Sequence, residues 1–264
     1  MTHAFRLVGQ TVMLGLAEIR EIYTWRSWTF GWLARLLCQA SFFALIGRYV
    51  GDTDTMRFVL IGNIVALACL ESTIVVISLA GERRTGTLAL LAVAPGSHLP
   101  LYLGRGLHWV VTGLTSTLVA WLTLPPLLGV PLPWPEAALA LPLIVLIAVT
   151  SYGYGCLLGA LALRLLGFEW LILNVGYGIV LTFCGVNVTL STWPEPLRWF
   201  LAFLPVTHGL QAIRTVLAAG PAADIFHQAG LELLVGIGWF ALAALLTERL
   251  VGAGRRNATL EFND

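Results

Sequence analysis

The sequence predicts an all-α membrane protein with six transmembrane helices, and three observations lead there. Of its 264 residues, 58% are hydrophobic and only 11% are charged, where an ordinary soluble domain carries about 25% charged residues. Mean hydropathy is +0.85, so lipid is the natural solvent of this chain. The third observation is length: Trp109–Leu128, Ala137–Leu163 and Trp170–Pro194 run without one charge. A hydrocarbon core of about 30 Å takes about 20 residues of helix. Barrel strands are about half that long, and any other backbone would leave polar groups unpaired in lipid.

The elements follow in order. In residues 3–26, Phe5, Val8, Val12, Leu16, Ile19 and Tyr23 recur at the spacing of one helical face. Trp25 and Trp28 suit the headgroup level, so this segment is expected to lie along the inner membrane surface. Spans are expected at 30–49, which contains Arg35, and at 58–80, which contains Glu71, with Gly51–Asp54 as the outer turn. Residues 81–95 begin with Glu82, Arg83 and Arg84, become Leu-rich and end at Pro95. That pattern predicts a helix outside the membrane, where Gly86 permits a turn and Thr87 can cap. Leu88 and Leu91 then share one face. Further spans are expected at 107–128, 137–163, 170–191 and 229–250, with Glu232 near an interface. Prolines stiffen the outer turn Val130–Pro135. Between the last two spans, 194–220 is apolar but broken by Pro194, Pro196, Pro205 and Gly209, which predicts two short re-entrant helices. No internal repeat or soluble portion interrupts residues 1–264, which read as a single transmembrane domain.

Orientation follows from arginine. With six spans and both termini inside, Arg6, Arg20, Arg26, Arg35, Arg83, Arg84, Arg105, Arg164, Arg249, Arg255 and Arg256 fall at or near the inner face. Arg48, Arg57, Arg198 and Arg214 fall outside, so 11 of the 15 lie inward, and the positive-inside rule predicts a cytoplasmic N- and C-terminus. All 15 basic residues are Arg. Without Lys these residues hold neither a P-loop nor a Schiff-base site. ATP and Mg, if used, belong on another polypeptide, and no cofactor is expected here. Cys38, Cys69, Cys156 and Cys184 sit within predicted spans without a Cys-x-x-Cys pair and are expected to pack as small apolar residues. The histidines lack metal-ligand spacing, no nucleophile elbow occurs, and no basic run suits nucleic acid. No cleavable leader pattern is expected at the N-terminus.

Polar residues inside spans are the candidate site. Glu71 lies about 16 Å along a helix from the inner charges, near the bilayer centre, where a carboxylate is costly. Gln39 at similar depth and Arg35 one turn lower are its expected partners, and its role is structural or functional. Asn63, Asn174, Tyr177 and Asn187 are expected to bond neighbouring helices. Gly153, Gly155, Gly159, Gly176 and Gly178 permit close helix contact.

The run Glu82-Arg83-x-x-Gly86-Thr87-Leu88-x-x-Leu91-x-x-x-Pro95 resembles the coupling-helix segment of type-2 ABC exporter permeases. Pro205, Thr207, His208 and Arg214 are similar to that family's re-entrant signature, and the resemblance spans nearly the whole chain. One departure is Ala89, where the family often has Glu. The resemblance implies an elbow helix at 3–26 and no covalent chemistry on this chain. It also implies two copies of a separate ATPase docked on 81–95, and a second permease protomer, either identical or similar. It places the path beside the first, second and fifth spans, so Asn174, Tyr177 and Phe183 join the candidates. Sparse charge favours a hydrophobic or amphipathic cargo such as a drug, antibiotic, peptide or lipid-like molecule. A lipid-linked polysaccharide is the runner-up, and a secondary transporter, channel or intramembrane enzyme is the remaining alternative.

Overall fold

The computed structural model describes Gly15 and residues 24–84, 99–165 and 167–257. Among them the helices are α1 (Ser27–Val50, π-helical to Leu33), α2 (Thr53–Thr73), α3 (Val75–Arg84), α4 (Leu99–Gly104) and α5 (Leu107–Leu127). They continue as α6 (Glu136–Leu139), α7 (Leu141–Ala162), α8 (Glu169–Phe183), α9 (Glu195–Leu201), α10 (Thr207–Leu217) and α11 (Ala222–Asn257). Local chemistry sets the starts. Ser27 and Thr24 exchange side-chain-to-backbone bonds of 2.9 and 3.2 Å before α1. Asp52 accepts the Thr55 N–H at 2.8 Å and caps α2. That bond holds the Asp52 carboxyl below its ordinary value.

Among the described residues, five helical stretches are long and apolar enough to cross a membrane: Ser27–Val50, Thr53–Gly81, Tyr102–Leu127, Glu136–Ala162 and Ala222–Leu250. The expected span at 170–191 differs, because its helix is α8, only 15 residues, which is about 22 Å of rise. Gly185, at φ +80°, takes the chain out of the helix, and Cys184–Thr189 turns back onto α2. The last helix is longer than the expected 229–250 and starts at Ala222. Residues 194–220 form two short helices, α9 and α10, as the prolines suggested. Most of the expected surface helix at 3–26, and residues 85–95 of the expected 81–95 helix, lie outside the described residues.

The stretch Thr53–Gly81 is the axis of the bundle, with nearly every residue of its most apolar part buried, while Ala222–Leu250 lies at the periphery with most of its apolar part exposed. Packed around α2 and α3 are α1, α5, α7 and α8, and α7 carries α11 on its other side. The axis is broken at Ile74, where the Thr73 hydroxyl donates to the Cys69 and Leu70 carbonyls at 2.9 and 2.7 Å. Such back-bonding bends helices. Gly155 of α7 faces the break, and a Cβ there would stand 2.9 Å from Thr73 Cα. A second break, between α4 and α5, is stitched by Tyr152, whose hydroxyl donates to Leu103 O at 2.6 Å and accepts the Gly106 N–H at 3.2 Å.

Candidate functional site: polar groups around the axial helix and the outer turn

The candidate polar residues separate into two groups. Around the axis, Gln39 of α1 donates to the Tyr177 hydroxyl of α8 at 3.4 Å, and Tyr177 is buried. Asn63 of α2 donates to Asn187 Oδ1 at 2.7 Å and to Val59 O at 2.9 Å, while Asn187 returns a bond to Leu181 O at 3.3 Å. This pair fastens the irregular segment after α8 to the axis. It needs Gly62, since a Cβ there would run into the Val186 carbonyl. Asn174 points outward and donates only to Trp170 O in its own helix. Phe183 stacks on Trp193, ring centroids 4.9 Å apart.

Glu71 is fully buried, in the last turn of α2. The expected pairing differs. Gln39 is engaged with Tyr177, and the Arg35 guanidinium lies over the Trp32 ring, 5.0 Å from its centroid. Neither Glu71 oxygen has a hydrogen-bond partner. The carboxyl side chain faces α5 instead, where a Cβ on Gly113 would lie 3.1 Å from Glu71 Cβ. Trp32 of α1 and Thr112 and Ser116 of α5 are the polar side chains that act on its carboxyl.

The second group is the turn between α9 and α10. Thr207 donates to Leu201 O at 2.9 Å, and His208 joins Ala202 O at 3.1 Å to Gln228 Oε1 at 2.8 Å through its two ring nitrogens. Arg214 donates to Phe58 O at 3.2 Å, with its guanidinium carbon 3.5 Å from the centre of the Phe58 ring. Pro205 precedes Val206, whose φ of +76° is rare for a β-branched residue. The residue that sequence reasoning missed is Glu232. It is buried in α11 and accepts the Thr150 hydroxyl at 2.6 Å, the Val206 N–H at 3.0 Å and the Gly209 N–H at 2.9 Å. A signal did exist, since an acid flanked by apolar residues near a membrane end requires donors, and a broken helix start offers them.

Of the residues expected to meet an ATPase, Gly86, Thr87, Leu88, Leu91 and Pro95 lie outside the described residues. Glu82, Arg83 and Arg84 form the last turn of α3.

Comparison with known families decides what kind of bundle this is: the model of the ABC-2 type transporter family matches residues 11–218. The chain belongs to the ABC-2 type transporter family. No curated protein matches it. As an ABC-2 type transporter, it is a multi-pass permease rather than a catalyst. The match takes in both polar groups on α1, α2, α8 and α10, and stops short of α11 with Glu232.

Proposed function

We propose that this chain is the membrane-spanning subunit of an ATP-driven exporter in the bacterial cytoplasmic membrane, with both termini inside. The family match over residues 11–218 carries the reading. The complete absence of Lys supports placing ATP and Mg on a separate ATPase, two copies of which dock on 81–95 through Leu88 and Leu91, with Glu82, Arg83 and Arg84 at the rim. A second protomer lies along α1 and α8, whose outward faces carry Phe42, Tyr49, Trp170 and Val175. The route follows the protomer interface beside α1, α2 and α8. Asn174 and Phe183 are the polar and aromatic groups a moving molecule meets first there, with the Gln39–Tyr177 and Asn63–Asn187 pairs behind them and Glu71 sealed deeper, against α5. Cargo is hydrophobic or amphipathic, in keeping with so few charges along the spans.

Affinity purification of the full chain from its native cells tests this. A Walker-motif ATPase co-purifies and hydrolyses ATP, while the chain alone is inert. ATP turnover by the isolated chain sinks the proposal.

A further inference from the structure

Three observations converge on Glu232. First, one carboxylate closes three bonds to two different elements, from Thr150 of α7 and from the Val206 and Gly209 amides that open α10. Amides at a helix start have no partner within the helix and carry partial positive charge, so an acid side chain suits both needs. Second, the turn is held in a conformation it would leave if released. Val206 sits at φ +76°, ψ −32°, the left-handed region that a β-branched residue avoids. Gly209 is the complement: a Cβ there would press into Ile147 and stand 3.3 Å from the Glu232 carboxyl carbon. Third, α11 grips the same turn twice more. Gln228 holds His208, and the Trp239 indole donates to Phe203 O at 2.9 Å. Steps of four and seven put 228, 232 and 239 on one helical face.

We propose that Glu232 is a positioning residue that locks the α9–α10 turn to α11, so the outer helix pair and the last long helix move as one body. Thr150 ties the same carboxylate to α7, so the pair is anchored on both sides. The turn itself does not lift as a lid. This holds whatever molecule is carried, and it does not depend on the exporter reading.

Hydrogen–deuterium exchange on the full chain in lipid nanodiscs tests it, comparing wild type with Glu232→Gln, Glu232→Asp and Thr150→Val. Glu232→Gln replaces one acceptor oxygen with a donor. It raises exchange across 201–217 by about tenfold or more while amides of α2 and α7 keep their protection. Glu232→Asp, which retains the carboxylate, restores part of the protection, and Thr150→Val gives a smaller rise in the same segment. A rise spread evenly over the bundle, or none within 201–217, overturns the proposal. If Glu232→Gln fails to accumulate, the same readings on Thr150→Val and Glu232→Asp decide.

Discussion

An acid with no hydrogen bond, sealed between α1, α2 and α5, sets the strongest test at the scale of single residues. The oxygens of Glu71 are unbonded, and leaving a buried polar group unpaired costs about 1–3 kcal/mol. Replacing it by an apolar residue of similar size removes that cost and strands neither Gln39 nor Arg35, which are engaged elsewhere. Glu71→Leu is therefore expected to match or exceed wild type in thermal stability, by up to about 2 kcal/mol, and Glu71→Gln to fall between. Transport measured on the same preparations separates the roles: activity lost from a stable Glu71→Leu protein assigns the acid to function, and activity kept makes it structural. Gly62 makes the opposite prediction. Its Cβ would run into the Val186 carbonyl, and backbone cannot move aside as a side-chain tip can, so Gly62→Ala costs about 1–3 kcal/mol. A shift in thermal midpoint below a degree would refute the packing seen there. That Glu71 would be buried was legible from its place in an apolar run. Its partners were not, because the rotation of α1 about its own axis decides whether Gln39 meets Glu71 or Tyr177.

At the scale of elements, two segments carry predictions. Val206 is buried and also in the left-handed region. Val206→Gly loses about 1.5–3 kcal/mol of burial but relieves about 1–2 kcal/mol of backbone strain, so the two nearly cancel. Val65→Gly, equally buried inside α2, has no strain to relieve and adds about 1 kcal/mol of helix penalty. Thermal melts of the two variants should differ by about 2 kcal/mol or more, and equal losses would discredit the strained turn. The second segment is 81–95. If 81–95 docks on an ATPase as proposed, Leu88→Asp would bury an unpaired charge in its groove at a cost of several kcal/mol. It is expected to uncouple or detach the ATPase while the bundle stays folded. Normal export and ATPase binding by this variant would reduce 81–95 to a connector. The break of 194–220 into two helices was legible from its prolines. The early end of α8 was not, because Gly185 and Asn187 act there through contact with α2 rather than through an apolar count.

For the whole molecule, topology is the accessible measurement. Arginine bias predicts both termini inside, so a reporter active only in the cytoplasm is expected to work at either end, whereas one inserted at Thr53 or Pro133 is expected to behave as external. Cytoplasmic behaviour at Thr53 reverses the arrangement. The short α8 adds a condition. At about 22 Å of rise it cannot span a bilayer core of about 30 Å unaided. The segment from Cys184 to Thr189 is instead irregular and fastened to α2 through Asn187. Cutting that fastening with Asn187→Ala should lower bundle stability by about 1 kcal/mol, read in the same melts.

The sequence by itself determined the solvent, the helical class, the exclusion of a P-loop, and the two segments that resemble a known permease. Each depends on composition, or on spacing within one segment, and neither needs a neighbour. Tertiary structure alone decided which helix is the axis, that Gln39 serves Tyr177, that Glu71 does not meet Gln39, and that Glu232 holds the turn between α9 and α10. These outcomes join residues from separate helices. In lipid every span is apolar on all faces, so no hydrophobic stripe marks which side meets protein, and only the packing of small residues and stray polar groups settles it.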